Sequence, residues 1–492
     1  MLAMRSHAIS GARRLPSRVL LALALALLLC ATCCAVIASP ASQLQACFNR
    51  NASAQAPYYV EDYVTGRPSR LTIHSVLWST KLQPKQEAPG NSSSQAAVPA
   101  YPLTIATMTN QHRLSNLEAQ CNSWPGPLTV AVYVPLLLGN ETGNAASLLE
   151  MQALTQQLFD RVEANPTSCA MRLLLVTEML GEQNALLLFP INSLRNMALL
   201  TADTPLVAMI DVDLLLSSTL SDEFSGLAGR RGNGSSAAEV MRLCRSGSLL
   251  ILPAFEFCEQ GEHDLPKRTA MAAEVAMGGK AKLVELVREQ RMCMFMATWQ
   301  KGHGATQFPI WYSSPWPYTV QHNSMFEPWY IVDRFRNPWY DARFRGYGMD
   351  KQQQVTAAAL DRKLTFMVHP TAFVVHMPHK KPQTFRQYMS AVAARKLPIG
   401  DHVKQVLASM HSQAVEATHK PTSSNLSAAE VGVIMRKQNE ELFHASERHM
   451  RRGGSNPSQL DPQMQACLSE LPWWQAQAAG ESATHLNPPG HS

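Results

Sequence analysis

Charge is scarce in this chain of 492 residues. Asp, Glu, Lys and Arg together make up 16% of it, against a usual share of about 25%, which excludes the highly charged disordered class. No Gly-X-Y period, sustained heptad pattern or internal repeat is present, so collagen and coiled coil are excluded. Only one long apolar run occurs, which excludes a multi-span membrane protein. Hydrophobic residues account for 46%, enough for a sizeable buried core, and the length corresponds to roughly two to three domains' worth of chain.

Positive charge is also thinner than it looks. The net charge is +6, but Arg5, Arg13, Arg14 and Arg18 lie in the first eighteen residues, which hold no acid. Setting those four aside leaves 39 basic residues against 37 acidic ones. That balance makes no electrostatic footprint for DNA or RNA, and nucleic acid is excluded as a partner.

The one long apolar run is Val19 to Ser39, without a charge. At about 1.5 Å per residue, a helix of that length covers the bilayer's hydrocarbon thickness of about 30 Å. The arginines before it hold the amino end in the cytosol and send the rest to the lumen, as a single-pass type II protein. The apolar stretch also fits the h-region of a cleaved signal peptide; the long basic n-region favours an uncleaved signal-anchor. Five N-x-S/T sequons, at Asn51, Asn91, Asn140, Asn233 and Asn425, agree with the secretory route.

Metal-type cysteine spacing is absent. Cys30, Cys33 and Cys34 fall inside the apolar run, and the other seven cysteines are dispersed. One or more disulfides are expected in the lumen, with a connectivity that the spacing does not reveal.

Residues 40–100 contain two sequons and the stretch KLQPKQEAPGNSSSQAAVP, which reads as a stem; RLTIHSVLW within it has the look of a strand. From Pro102 the runs LTIATMT, LTVAVYVP, MRLLLVTEM, LVAMIDVDLLL and SLLILPAFEF read as strands buried on both faces. RLSNLEAQCNSW, SLLEMQALTQQLFDRVEA and INSLRNMALLTAD between them carry helical spacing. The alternation predicts an α/β sheet, largely parallel at its start, with ligands beyond the carboxyl ends of the strands. GLAGRRGNGSSA reads as a surface loop. After about Lys420 the chain reads as a peripheral tail with one helix, around AAEVGVIMRKQNEELFHASERHM.

Asp211-Val212-Asp213 closes the apolar run LVAMI. On an extended chain, residues two apart point to the same side, so two carboxylates can face one hard cation, Mn²⁺ or Mg²⁺, together with substrate phosphates. A D-x-D alone is more often a pair of strand-capping acids facing water; charges just beyond a buried strand strengthen the metal reading. His376 and His379 of FVVHMPH are candidates for an imidazole at the same ion. The block YTVQHNSMFEPWYIVDRFRNPWYDARFRGYGMDKQQQ interleaves aromatics with Glu327, Asp333, Asp341 and Asp350, as either a sugar-binding wall or an aromatic core.

Taken in order, LTIATMTNQHRLSNLEAQCNSWPGPLTVAVYV, FPINSLRNMALLTADTPLVAMIDVDLLL, LLILPAFEF, WQKGHGATQF, YTVQHNSMFEPWYIVDR, PWYDARFRGYGMDK and FVVHMPH closely resemble glycosyltransferase family 49. That family includes the second catalytic domain of the LARGE-type xylosyl/glucuronyltransferases and the beta-1,4-glucuronyltransferase. The resemblance covers about residues 102 to 380.

What it implies is a GT-A fold, a nucleotide-binding α/β sheet with an acceptor region, in a Golgi membrane enzyme with a lumenal catalytic domain. It further implies a UDP-sugar donor, Mn²⁺ (or Mg²⁺), a glycan or glycoprotein acceptor, and transfer of glucuronic acid with inversion. The family's metal motif falls on Asp211 and Asp213 and its histidine on His376, with His379 as the fallback. Asn192, Arg195 and Asn196 share one helical face ahead of the metal strand as donor contacts. Thr107 and Asn110 fall where the uridine is held, and Lys301 and His303 of QKGH where a phosphate or sugar carboxylate is neutralised. Asp350 stands first as the catalytic base; the family commonly has Asn there, which leaves Glu327 or Asp341 for the role. The expected layout is a cytosolic tail 1–18, an anchor 19–39, a stem 40–100, the catalytic domain 101–415 and a peripheral tail 416–492. UDP-xylose as donor, a catalytically silent glycan-binding protein and a metal-dependent phosphoesterase are the competing readings. Oligomeric state is not legible.

Overall fold

The computed structural model describes residues 39–50, 71–82, 101–181, 183–225, 237–259, 264–393 and 427–475. The expected anchor 19–39, but for Ser39, the glycine-rich loop from 226 to 236 and the sequons at Asn51, Asn91, Asn233 and Asn425 lie outside them. Among the described residues no helix is long and apolar enough to cross a membrane. The chain divides into two units, Met1–Gln43 and Leu44–Ser492; only residues 39–43 of the first are described, where the helix Pro40–Arg50 begins.

The second unit is built on mixed sheets. Thirteen strands are described: β1 Leu71–Trp78, β2 Leu103–Asn110, β3 Pro127–Leu137, β4 Ala170–Leu180, β5 Leu206–Met209, β6 Leu214–Leu216, β7 Ser248–Leu252, β8 Ala254–Phe257, β9 Met292–Met294, β10 Tyr318–Thr319, β11 Trp329–Asp333, β12 Thr365–Val368 and β13 Val374–His376. Nine form one sheet in the order β1-β4-β3-β2-β5-β11-β7-β12-β10, and four form another, β6-β13-β8-β9. The neighbours β4, β3, β2 and β5 run parallel, as the alternation predicts. Their side chains are buried on both faces, which is why the runs are apolar without a break. The helices Leu114–Asn122, Glu141–Ala164 and Ile191–Leu200 fall on the segments with helical spacing.

Two runs expected as single strands are each divided between the sheets. SLLILPAFEF breaks at Pro253, which has no N–H for a ladder, into β7 of the large sheet and β8 of the small one. LVAMIDVDLLL breaks into β5 and β6, with Asp211 and Asp213 at the turn: Leu214 N–H donates to Asp211 O at 3.0 Å. The D-x-D is therefore held in a turn rather than on an extended strand, and the side chain of Gln120 fixes that turn, donating to Asp211 O and Leu214 O at 2.9 Å each.

From Leu44 on, the described parts of the expected stem, and those of the tail, are packed into this second unit. β1 closes the edge of the large sheet, antiparallel to β4. Asn49 holds it, accepting from Ile73 N–H at 3.0 Å and donating to Ile73 O at 2.8 Å. Helix Ala428–Arg451 starts on a capping box between Ser427 and Glu430. It buries Val431, Ile434 and Met435 against Leu180, Ala185, Leu187 and Leu188, each such side chain contributing roughly 1.5–3 kcal/mol of transfer free energy. Gly346 beneath it has φ +73°, and a Cβ there would come within 1.9 Å of Met435 Sδ, so only glycine fits. Trp473 and Trp474 donate to Leu200 O at 2.9 and 2.8 Å. Short apolar stretches diluted by Ser and Gln hid this packing from a periodicity reading. Among the described residues three disulfides are present, Cys47–Cys467, Cys121–Cys169 and Cys258–Cys293, with Cys244 a buried thiol.

Candidate active site

The carboxyl end of β5 delivers the chain to the turn at Asp211, and β13 brings its own end alongside. His376 pairs with Leu214 across the small sheet, and Met377 N–H donates to Asp213 O at 2.8 Å. Backbone pairing thus sets the acidic turn against the histidine segment before any side chain is considered.

Asp213 Oδ2 accepts from His379 Nε2 at 2.8 Å and from Arg113 Nη1 at 2.8 Å, with His376 Nε2 at 3.9 Å. One oxygen of Asp213 and one nitrogen from each histidine lie within 4.8 Å of one another, a donor set that suits a divalent transition metal. Asp211 is engaged elsewhere: Oδ2 accepts from Lys351 Nζ at 2.5 Å and from Trp329 Nε1 at 3.3 Å, and Oδ1 from Arg195 Nη2 at 3.5 Å. Of the expected ligands, Asp213 and His376 are brought together with the fallback His379, which lies nearer to Asp213 than His376 does, while Asp211 stands outside this set.

Electrostatics sort these groups. Burial works to raise the pKa of Asp213, but the His379 hydrogen bond and the Arg113 charge outweigh it and hold the carboxyl well below its usual range. Burial likewise opposes ionisation of Asp211, and Lys351 and Arg195 again reverse it. His376 is pushed down to about 4 by burial, so its imidazole is neutral at pH 7 and able to ligate. Glu256 Oε2 stands 3.9 Å from His376 Nδ1, on the side away from Asp213.

A second carboxylate environment lies beside this cluster. Glu327 Oε2 accepts from Gln352 Nε2 at 3.1 Å, and Oε1 stands 3.8 Å from His303 Nε2. Burial pushes the Glu327 carboxyl up to about 7, Lys351 opposing the rise and Asp350 and Asp211 adding to it. Asp350 opens the helix Asp350–Leu360 and is bound by Arg195 Nη1, whose side chain is buried. Asp341 is fully buried, and Arg343 takes up its carboxylate at 2.6 to 3.2 Å. Of the three candidate bases, Glu327 alone carries no cation on its carboxylate among the described residues.

The remaining expected donor contacts fall into two groups. Arg195 reaches the site, and Asn192 Oδ1 steadies it, accepting from Nη1 at 3.0 Å. Asn196 instead pins the loop below, donating to Tyr340 O at 2.7 Å and accepting from Tyr340 N–H at 3.0 Å. Thr107 is buried within β2, its hydroxyl without a partner among the described residues. Asn110 accepts from His112 N–H at 3.1 Å and caps the short helix Gln111–Arg113 that carries Arg113 to Asp213. Lys301 is exposed. His303 is buried and stacked on Trp329, ring centroids 5.6 Å apart, with its pKa pushed down to about 3 by burial, so it is no cation at pH 7.

Arg113, Lys351, Trp329 and Glu256 join the site although none was singled out from the sequence. Lys351 directly follows Asp350 in the GYGMDK block, and Trp329 stands in FEPW, so the aromatic-rich block supplies both core and site. Phe326, Tyr330, Tyr340 and Phe344 of that block are buried in the core.

A model of glycosyltransferase family 49, described as "Glycosyl-transferase for dystroglycan", matches residues 102–411. The xylosyl- and glucuronyltransferase LARGE2 of Homo sapiens is 28% identical over 352 residues, which are 71% of this chain and 42% of that protein. LARGE2s of Gallus gallus is 29% identical over 279 residues, 56% of this chain and 32% of its own length. LARGE1 of Homo sapiens is 26% identical over 286 residues, 58% and 32% respectively. The chain thus spans less than half the length of these curated relatives. Among solved structures, S. aureus TarS 1-349 aligns with 77% of this chain and 91% of its own at 10% identity and a TM-score of 0.27. The mannosyltransferase PcManGT from Pyrobaculum calidifontis, in complex with GDP-Man and Mn²⁺, aligns with 81% and 85% at 14% identity and a TM-score of 0.25. Scores of that size assign no fold.

Proposed function

Because the chain belongs to glycosyltransferase family 49, we propose that it is an inverting, metal-dependent glycosyltransferase of GT-A architecture that moves glucuronic acid from UDP-glucuronate to a hydroxyl of a glycan acceptor. The observation that carries this reading is the acidic turn at the end of β5, clamped against two histidines of β13 and its extension. Asp213, His376 and His379 fit a divalent cation such as Mn²⁺ in donor type and spacing, and Asp213 is ionised and His376 neutral at pH 7. Bound there, the ion would offset the negative charge that grows on the UDP leaving group.

The chain's own residues do the rest. Glu327 takes the proton from the acceptor hydroxyl at a carboxylate oxygen, while Gln352 N–H donates to Oε2 and orients the group. A base whose pKa lies near 7 combines availability at neutral pH with enough driving force to accept a proton. The acceptor oxygen then forms its bond to the anomeric carbon from the face opposite the departing UDP, which inverts that centre. Arg195, fixed by Asn192 and Asp350, keeps the floor between the two carboxylate environments rigid. The basic segment and the apolar run 19–39 are the address: a type II Golgi membrane enzyme with its catalytic unit in the lumen.

The purified protein, incubated with Mn²⁺, a panel of UDP-sugars and simple xyloside and glucuronide acceptors, should release UDP and form a new glycoside from UDP-glucuronate. Asp213→Asn should abolish both. A protein that binds neither Mn²⁺ nor UDP overturns the reading, and preferential transfer from UDP-xylose replaces its donor.

A further inference from the structure

Among the described residues three cations, Arg113, Arg195 and Lys351, pair with the acidic turn, and they are not equivalent. Arg113 is shared between Asp213 and His379, donating to Oδ2 at 2.8 Å and lying 3.2 Å from Nδ1. Arg195 has a buried side chain and is spoken for by Asp350 and Asn192 as well as Asp211. Lys351 has a single carboxylate partner among the described residues, Asp211, and its side chain is 17% exposed. Its ammonium lies 4.2 Å from the centre of the Trp329 ring, on a stem of four flexible carbons.

Asp211 Oδ2 already carries both Lys351 and the Trp329 N–H. A divalent cation held by Asp213, His376 and His379 adds positive charge beside that carboxylate and repels the ammonium, and Lys351 is the neighbour able to give way, because Arg195 is also held by Asp350 and Asn192. The displaced ammonium remains above Trp329, between the acidic turn and Glu327, where the transferred sugar must sit for Glu327 to act opposite the diphosphate. A sugar that brings its own negative charge there would otherwise meet Asp211, Asp350 and Glu327 with no cation of its own, Arg195 being committed to the two aspartates. The expected alternatives do not serve: His303 is neutral at pH 7 and Lys301 is exposed on another helix.

We propose that Lys351 selects the anionic sugar of the donor, its ammonium passing from Asp211 to the carboxylate of a uronic acid when the acidic turn takes up a divalent cation. This rests on the UDP-sugar reading above. The exchange keeps charges paired in both states: lysine on aspartate before loading, lysine on the uronate after it. It also discriminates, since a neutral hexose leaves the displaced ammonium without a partner in a partly desolvated place.

Calorimetric titration of the whole protein with UDP, UDP-glucuronate and UDP-glucose in Mn²⁺ tests this without turnover. The wild type should bind UDP-glucuronate about tenfold or more tighter than UDP-glucose, the scale of one hydrogen bond to a charged group. Lys351→Met should bring that ratio to within about twofold while leaving UDP itself nearly unchanged, and Lys351→Arg should retain most of the preference. A ratio that survives in Lys351→Met overturns the proposal. So does an equal loss for UDP and UDP-glucuronate, which would place the ammonium on the diphosphate. A wild type without preference for the uronate also overturns it. Absence of any UDP binding to the wild type is distinct from these and defeats the transferase reading itself. Melting temperatures of the variants within a few degrees of wild type establish that all are folded.

Discussion

Asp213, buried, and Glu327, half-buried, are carboxylates of one site, and their surroundings drive them in opposite directions. Asp213 meets Arg113 and two imidazoles and stays ionised. Glu327 meets one amide and a neutral imidazole and holds its proton up to about pH 7. The same functional group is thus suited to ligation at one end of the site and to accepting a proton at the other, because desolvation is overcome by cationic partners at Asp213 and not at Glu327.

The contrast is broken most severely at Glu327. Glu327→Gln should lower kcat by about 10²- to 10⁴-fold with little change in Mn²⁺ or UDP binding, and the wild-type kcat/KM should rise with pH through about 7. The stability effect has the opposite sign. A carboxyl whose folded pKa lies above its unfolded value contributes stability at low pH that is lost as pH rises through the folded value. The melting temperature of Glu327→Gln should therefore gain on that of the wild type between about pH 4.5 and 7 and keep its lead above that. A variant that loses Mn²⁺ binding instead would mean the two environments are not separable.

At the other end, His379→Ala should weaken Mn²⁺ binding by about tenfold or more, measured by calorimetry, with transfer largely restored at saturating Mn²⁺. Unchanged Mn²⁺ affinity would remove His379 from the ligand set and leave it as a partner of Asp213 only.

The smallest expected effect tests the floor of the site. Asn196→Ala should cost about 1–3 kcal/mol of stability by leaving the Tyr340 backbone groups unpaired, read by denaturant unfolding, with the donor's KM unchanged. A raised KM would return Asn196 to the donor-binding group.

Legibility followed the range of the forces involved. β2, β3 and β4 were plain because a strand buried on both faces must be apolar throughout. The break of SLLILPAFEF was signalled by Pro253, whereas the destination of its second half in another sheet depended on β13, more than a hundred residues away. The acidic turn and the histidines were legible as chemistry. Lys351 and Arg113 were not, since a cation's partner is fixed by which helix terminus the fold brings up, and no local spacing encodes that. Asn192, Arg195 and Asn196 share a helical face as predicted, yet that face meets the chain around Tyr340 and Asp341, so Arg195 alone extends to the carboxylates. The short apolar pieces after Cys467 gave no period at all, although Leu471 and the two tryptophans after it complete the core.

The bridge between Cys47 and Cys467 sets a clock on biosynthesis. Its partners are separated by 420 residues, and at roughly 5–20 residues per second of translation the first must wait roughly 20–80 s for the second to be made. In the lumen proposed for this chain, Cys47 is until then a thiol able to pair with Cys121, Cys169 or another protein. A chain cut short before Cys467 never ends that wait, so a premature stop near the end of the message becomes a defect at the beginning of the fold.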